Sequence, residues 1–253
     1  MNQMHSQTVQ EMKCKKTAIR ALPIRRLLKP ASLCLLAGAL LFPLPARAAG
    51  NLTVTDKKAF ILSGKDSGYF YAKIENDGDE PAAVDHGKLV LFSEDDDILE
   101  TSDYISTFPS RLVLEPGEYT YVSEFLWNSN LKNQTIGDLK FSVGITDRGT
   151  EAERIPCEIE TDIKGSAGLD NYLRVTLKNE ADEVRSGYCL VAALYDKEGS
   201  LVYVDRASYD NIGLHPGSTM TVSMYVDLDV VNYFESNHIE IGSADVLAYY
   251  LKK

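Results

Sequence analysis

Four consecutive acidic residues form the most prominent chemical feature of the chain. Carboxylates gathered on one loop are hard oxygen ligands of the type that Ca²⁺ binds. The run lacks the spaced order of an EF-hand loop, however, and adjacent side chains on a turn point in different directions. The sequence therefore leaves two interpretations, a calcium site and a solvated hairpin turn, and favours the turn. The calcium candidates are Glu94, Asp95, Asp96 and Asp97.

Recognisable catalytic motifs are missing from the sequence. After residue 48 the histidines are His86, His215 and His238, and no two of them have the spacing of a metal site. There is no G-x-S-x-G, no C-x-x-C and no glycine-rich phosphate loop. A carboxylate pair would suffice for glycoside hydrolysis, but the acids are too numerous for the sequence to single out two. We therefore expect no catalytic residues, no cofactor and no enzymatic activity.

Cys157 and Cys189 are the two cysteines that remain once the first 48 residues are set aside. In an exported protein such a pair is a candidate disulfide. A bridge over this span would stabilise the fold by about 3 kcal/mol if it were unstrained. The alternative is a pair of small buried residues, and the apolar surroundings of Cys189 suit burial. The sequence leaves both open.

Tyrosines offer the other binding signal, because all 14 of them lie after residue 48. Tyr69 and Tyr71 share the outward side of a predicted strand, and Tyr119 and Tyr121 share one side of another. An exposed ladder of this kind could stack on sugars or anchor a protein partner. Tyrosine is also favoured in strands, where it fills cross-strand pairs, and the sequence favours this simpler interpretation.

The first 48 residues predict an export signal. A basic segment with one acid, Glu11, precedes an uncharged apolar run of 14 residues at 31–44. This run is short against the roughly 20 residues that span a bilayer. Small residues at Ala46 and Ala48 then predict signal cleavage between Ala48 and Ala49. Arg25-Arg26 leaves twin-arginine export open beside the general secretory route, and either places the protein outside the cell or in the envelope.

Cleavage would leave a strongly acidic chain. Eight of the 26 Lys and Arg and one of the 37 Asp and Glu precede residue 49, so 18 bases and 36 acids remain, a net charge of −18. An excess of this size argues against nucleic acid as a partner, because phosphates need Lys and Arg to replace their counterions. It also argues against adsorption to anionic lipid. We expect a solvated extracellular protein without an integral membrane segment in the mature chain.

The remainder of the chain contains two similar halves. Residues 69–77 resemble 172–180, and residues 89–99 resemble 192–202, both at an offset of 103. The strands that follow Glu115-Pro116-Gly117 and His215-Pro216-Gly217 match at an offset of 100, as do residues 139–144 and 239–244. Matches in the same order predict a tandem duplication. The predicted organisation is a signal peptide at 1–48 and two domains at 49–152 and 153–253.

Strand patterns and turn signals define the expected fold. Phe70, Ala72 and Ile74 alternate with polar or aromatic residues, as in a half-buried strand, and Leu173, Val175 and Leu177 repeat the pattern. Each half holds about seven short β-rich segments separated by turns, which is typical of an antiparallel immunoglobulin-like sandwich. Residues 227–236 are expected to form a single helical turn or an extended loop. The predicted fold class is all-β, with two tandem immunoglobulin-like β-sandwich domains.

The acidic segment 196–198 is explained by the same alignment. Asp196 falls opposite Ser93, Glu198 opposite Asp95 and Gly199 opposite Asp96, while the flanking residues stay apolar. A catalytic pair needs particular acids, whereas a hairpin needs only residues that tolerate a tight turn and water. We interpret this segment as a scaffold turn.

Short motifs in the second half also indicate a family. They are a strand ending in Asn179, then Leu194-Tyr195-Asp196, Gly199, Leu214 and Pro216-Gly217. This order resembles the FxLYD-type domain of bacterial exported and cell-wall-associated proteins, over most of residues 155–253. Ala192 stands where the family has Phe, and the first half follows the pattern more loosely. The resemblance implies a β-sandwich module of the envelope or cell surface, without catalytic residues.

The expected function is non-catalytic. We expect an exported bacterial binding, adhesion or envelope-structural protein whose partner is an unidentified extracellular protein or glycan. The alternative is an extracellular carbohydrate-binding module that uses surface tyrosines, with or without calcium.

Overall fold

The computed structural model describes residues 50–162 and 171–251. These residues form an all-β structure of several antiparallel sheets, with one α-helix within the described ranges. The predicted leader and its cleavage position at Ala48 and Ala49 lie outside them. In the part of the chain that is described, no helix is long and apolar enough to cross a membrane.

Residues 52–146 supply seven strands arranged in two sheets. The strands are β1 (Leu52–Ile61), β2 (Ser67–Asn76), β3 (Ala82–Ser93), β4 (Ile98–Ile105), β5 (Val113–Leu114), β6 (Tyr119–Trp127) and β7 (Ile136–Thr146). One sheet has the order β1-β2-β6, and in the other β3 pairs with β4, β5 and β7. A 3-10 turn at Ser129–Leu131 connects β6 to β7.

Residues 152–251 supply seven more strands and the helix. They are β8 (Ala152–Ile155), β9 (Cys157–Asp162), β10 (Tyr172–Lys178), β11 (Tyr188–Asp196), β12 (Leu201–Tyr209), β13 (Thr219–Tyr225), α1 (Leu228–Ser236) and β14 (Ile241–Leu251). The sheets have the orders β13-β10-β9 and β12-β11-β14-β8. Every strand pairing of these sheets joins strands of the same half.

The predicted inward positions are confirmed in both halves. Phe70, Ala72 and Ile74 of β2 are fully buried, and Leu173, Val175 and Leu177 of β10 are equally buried. The strand registers correspond as well, since Ala72 pairs with Val122 in the first half and Val175 pairs with Val222 in the second. Alternation of apolar side chains sets this register, because a slip of one residue would expose the whole apolar face.

One of the predicted correspondences is wrong. Leu91 and Leu194 are equivalent residues of the two halves. Leu91 pairs with Leu139, whereas Leu194 pairs with Ala244. The segment that matches 139–144 in the sheet is therefore 244–249, five residues beyond the predicted 239–244. The shift follows from the connection before the last strand, which is a short 3-10 turn in the first half and the longer helix α1 in the second.

Helix α1 is longer than the single turn expected from the sequence. It runs for nine residues, and its N-cap Asp227 accepts a hydrogen bond from the Asp229 amide at 2.8 Å. Val230, Val231 and Phe234 form a buried stripe along one face. A helix this short has little stability of its own, so packing of that stripe maintains it.

A buried asparagine closes the end of the second strand in the first half. Asn76 is fully buried, and its amide nitrogen donates to the carbonyl oxygens of Glu80 and Leu114, both at 2.9 Å. Its side-chain oxygen accepts from the Gly78 and Asn51 amides at 3.1 and 3.2 Å. One side chain thus satisfies backbone groups of three separate segments that burial removes from water.

Asn179 makes the same connections in the second half. It is 2% exposed, and its amide nitrogen donates to the carbonyl oxygens of Glu183 at 2.7 Å and Leu214 at 2.8 Å. Its backbone carbonyl accepts from the Gly217 amide at 2.8 Å, as that of Asn76 accepts from Gly117 at 2.8 Å. The asparagine therefore joins the end of a strand to the Pro-Gly turn in both halves.

Replacing either asparagine should destabilise the protein strongly. Asn76→Ala or Asn179→Ala leaves buried carbonyl groups without donors, so the free energy of unfolding should fall by about 2–4 kcal/mol. Chemical denaturation measures the change, with the exposed Asn130→Ala as the control. An Asn76 variant as stable as the Asn130 variant would contradict this role.

The two acidic segments form equivalent hairpin turns. In one, the Ser93 amide donates to the Asp97 carbonyl at 2.8 Å; in the other, the Asp196 amide donates to the Ser200 carbonyl at 3.0 Å. Asp96 and Gly199 occupy the same position with positive φ angles of 64° and 84°. The predicted alignment of these segments and their interpretation as scaffold turns are consistent with this geometry.

A glycine on the neighbouring strand lies against each turn. A Cβ atom at Gly137 of β7 would stand 2.5 Å from the Ser93 carbonyl oxygen. A Cβ atom at Gly242 of β14 would stand 2.7 Å from the Asp196 carbonyl oxygen. Neither position has room for a side chain, because the clashing atoms belong to the backbone.

The close approach predicts a position-specific cost for alanine. Gly137→Ala should lower the free energy of unfolding by about 1–3 kcal/mol, since the backbone of the turn must move. Gly144→Ala on the same strand is the matched control, because its Cβ would meet only the Asp85 side chain, at ordinary distances of 3.5 Å to Cβ and 3.8 Å to Oδ2. If the denaturation curves of the two variants overlaid, the backbone of the turn would move without loss of stability and the prediction would be wrong.

Candidate binding cleft

The calcium candidates lie on an exposed turn. Glu94, Asp95, Asp96 and Asp97 are all exposed. The amides of Asp95 and Asp97 donate to Ser93 Oγ at 3.2 and 3.1 Å, which accounts for the shape of the turn. Within residues 50–162 and 171–251, no group of three or more His, Cys, Asp or Glu side chains is arranged to hold a metal ion.

Cys157 and Cys189 are both free thiols in this structure. Cys157 lies on β9 and Cys189 on β11, which belong to different sheets of the second half. Burial raises the pKa of each thiol. The disulfide that the sequence left open is therefore not formed here, and Cys189 is 2% exposed, as the alternative of a buried residue predicts.

The tyrosines do not form an exposed ladder. Tyr71 is fully buried and Tyr121 is 2% exposed, so the less favoured of the two interpretations, an exposed ladder, does not hold for these residues. The outward side of β2 packs against β12 of the second half, where the Tyr71 and Tyr203 rings meet edge to face at 5.7 Å. Burial of both faces of β2 explains why its outward residues are not accessible.

Polar contacts between the halves centre on Asp245. Its Oδ2 atom accepts hydrogen bonds from the hydroxyls of Tyr119 at 2.9 Å and Tyr121 at 2.7 Å. The Tyr121 and Tyr195 hydroxyls are 2.9 Å apart, so Tyr195 donates to Tyr121 when Tyr121 donates to the carboxylate. Burial raises the pKa of Tyr121, and the hydrogen bonds to Tyr195 and Asp245 raise it further. These tyrosines connect the two halves.

A cleft of about 350 Å³ opens beside the contact of Tyr71 with Tyr203, where the edge strands β6 and β12 approach each other. We call it the β6–β12 cleft. Its aromatic lining residues are Tyr69, Tyr71, Phe125 and Tyr203. Its charged lining residues are Glu124, Asp205, Asp227 and Arg206.

Two carboxylates of the cleft are held in unfavourable surroundings. Burial raises the pKa of Asp205, and the nearby charge of Asp227 adds to this, although Arg206 opposes it. Burial also raises the pKa of Glu124, again with Arg206 in opposition. Carboxylates that are desolvated in a cleft are candidates for a functional role, because stability alone gives no reason to keep them there.

Tyr69 and Tyr71 of the cleft were singled out from the sequence, but none of its charged residues was. A signal for Glu124 was present, because it occupies an inward position of β6 where the second half has the buried Met224. Asp205 follows the uninterrupted apolar run Leu201–Val204, all of which is buried. Such a run indicates a strand covered on both faces. The sequence does not show that β6, which carries Glu124, and β12, which carries Asp205, lie next to each other.

A second cleft, of about 430 Å³, lies between the β1–β2 turn and helix α1. Its two charged residues, Lys65 and Asp229, form an ion pair at 2.6 Å. The charges are therefore already matched, and the β6–β12 cleft is the better candidate site.

Comparisons with known proteins add little about function. No family model and no curated protein matches the chain. Among solved structures, the chain is similar to the C-terminal globular domain of an oligosaccharyltransferase from Pyrococcus abyssi, with a TM-score of 0.20 and 10% identity. The match covers 79% of this chain and 47% of that one, so it spans less than half of that structure. This likeness is too slight to support an argument about fold or activity.

The raised pKa of Asp205 predicts a stability effect that depends on pH. A group with a raised pKa in the folded state contributes most to stability when protonated, so the wild-type protein loses stability as pH rises through that pKa. Asp205→Asn, which mimics the protonated form, should therefore gain stability relative to wild type as pH rises from about 4, the ordinary Asp value, towards neutral. Denaturation at both pH values measures the difference, with the exposed Asp182→Asn as control. An Asp205→Asn difference that does not change with pH would contradict the burial of this carboxylate.

Proposed function

We propose that the protein is a non-catalytic, exported binding protein built from two duplicated immunoglobulin-like β-sandwich modules of the FxLYD type, and that it binds its ligand in the β6–β12 cleft. The observation that carries the proposal is the cleft itself, where desolvated carboxylates and aromatic rings from both halves converge. Concave sites lined by aromatic side chains with a few polar groups are typical of ligand binding.

The duplication is supported by equivalent contacts in the two halves. Asn76 and Asn179 make equivalent hydrogen bonds, and Gly137 and Gly242 lie equally close to equivalent turns. The proposed export rests on the basic segment, apolar run and cleavage sequence of the first 48 residues. An adhesive or envelope-structural role is compatible with the same modules, but gives no reason for acids to be retained in the cleft.

Carbohydrate binding through a flat tyrosine surface is the weaker alternative. Stacking on a sugar ring requires an accessible aromatic face, yet Tyr71 and Tyr121 are buried. The Tyr69 and Tyr71 rings lie at 21° to each other, but the Phe125 ring stands at 63° to Tyr69 and the Tyr203 ring at 74° to Tyr71. They form walls and not a platform.

A ligand screen tests the proposed function. Wild-type protein and the Phe125→Ala variant are screened in parallel against glycans, peptides and small extracellular metabolites. We expect at least one compound that binds wild type and loses about tenfold or more in affinity to the variant, because Phe125 is an exposed wall of the cleft.

Tyr225→Ala is the control for this screen, since Tyr225 is an exposed aromatic residue on β13, outside the cleft lining. If every compound bound wild type and Phe125→Ala equally, the cleft would not be the binding site and the proposal would fail.

A further inference from the structure

We infer that the β6–β12 cleft binds a primary alkylammonium group, in which a charged –NH₃⁺ head meets the carboxylates and the attached methylene chain lies against the aromatic wall of the cleft. This inference rests on the proposed binding function and names the chemical class of its ligand.

The charge balance of the cleft favours a cation. The described lining residues carry three carboxylates, on Glu124, Asp205 and Asp227, against one guanidinium, on Arg206. Arg206 offsets part of this charge, since it opposes the raised pKa of Asp205 and of Glu124, and its guanidinium also lies 5.6 Å from the centroid of the Phe108 ring. One guanidinium still leaves an excess of carboxylates. An excess of partly desolvated negative charge is offset by a bound cation, which would also lower the raised pKa values of Asp205 and Glu124.

The aromatic rings suit an organic cation in particular. Tyr69 lies 5.3 Å from Phe125 and 5.9 Å from Tyr71, and Tyr71 lies 5.7 Å from Tyr203, as measured between ring centroids. The face of an aromatic ring carries negative potential, so rings that line a cleft together with carboxylates favour a positive group. A hydrated metal ion gains no binding free energy from apolar ring surfaces, whereas a methylene chain is stabilised by burial against them.

The Tyr71 hydroxyl distinguishes a primary amine from other cations. Tyr71 is fully buried and lines the cleft, yet its hydroxyl has no hydrogen-bond partner among the described residues. An unpaired buried hydroxyl is costly, and an –NH₃⁺ group brings three donors. A quaternary ammonium ion brings none, so it would leave the Tyr71 oxygen unsatisfied.

The inference is tested by calorimetric titration of the purified protein with cadaverine. This compound is an alkane with a primary ammonium group at each end. Binding should weaken by about tenfold in Asp205→Asn and in Glu124→Gln, since each removes a charged acceptor. The exposed Glu198→Gln should bind as wild type does. Denaturation curves of each variant show that the loss is not unfolding.

Tyr71→Phe provides the sharper comparison. It keeps the ring and removes the hydroxyl, so the affinity for cadaverine should fall by about threefold or more while the affinity for tetramethylammonium stays unchanged. Tyr225→Phe is the matched control. A peptide with one lysine, acetylated at its N-terminus, distinguishes two sources of a primary ammonium group. If this peptide binds as tightly as cadaverine, the ligand is the lysine side chain of a protein. If it binds more weakly, the ligand is a free amine.

Each outcome decides between the two proposals. If cadaverine and the lysine peptide both fail to bind wild type, or bind Asp205→Asn and Glu124→Gln as well as wild type, the amine assignment is wrong. Should the ligand screen still give a compound that depends on Phe125, the binding function stands with a different ligand. Should it give none, both proposals fall together.

Discussion

The contact between the outward side of β2 and strand β12 is the constraint on which the remaining features depend. Phe70 and its inward neighbours already fill the core of the first half, so covering Tyr71 on the opposite side makes β2 a strand buried on both faces. The Tyr71 and Tyr203 rings then meet at 5.7 Å, and Tyr121 reaches Asp245. This contact holds the β1-β2-β6 sheet of the first half against the β12-β11-β14-β8 sheet of the second half. The edge strands of the two sheets, β6 and β12, leave a cleft between them.

Inside each half, a different constraint operates, namely the need to satisfy backbone groups where a strand ends beneath a turn. A buried carbonyl without a donor is costly, and a short polar side chain with both a donor and an acceptor relieves the cost at two places at once. Asn76 and Asn179 have this role: each side-chain amide donates to the carbonyl of Leu114 or Leu214, and each side-chain oxygen accepts from the amide two residues further on, Gly78 or Ala181. Their backbone carbonyls also accept from the Gly amide of the Pro-Gly turn, Gly117 or Gly217. The motif residues Asn179, Leu214 and Gly217 are thus explained by architecture.

The sequence predicted those parts of the fold that local periodicity determines. Alternation identified the inward face of β2 and of β10, and turn chemistry identified the hairpin at 196–200, where Asp196 Oδ1 accepts from the Ser200 amide at 2.8 Å. It did not predict that Tyr71 is buried, because alternation shows which residues share a face and not what covers that face. Helix α1 was underestimated for a related reason. It depends on tertiary packing, including Tyr233 stacked on Phe60 at 3.9 Å, which no local propensity encodes.

The positions where the halves differ are as informative as those where they agree. In the proposed duplication, asparagines, turn residues and close-packed glycines are alike in both copies, since each copy needs them to fold. Glu124 replaces an apolar residue, the buried Met224 of the second half, and the α1 connection brings Asp227 to the cleft, where its charge raises the pKa of Tyr69 together with burial. These differences weaken packing or place like charges near one another, so they cost stability and yet converge on one cleft. A duplicated scaffold that needed only to be stable would have no reason to concentrate its unfavourable residues there, whereas one that binds a positively charged ligand would.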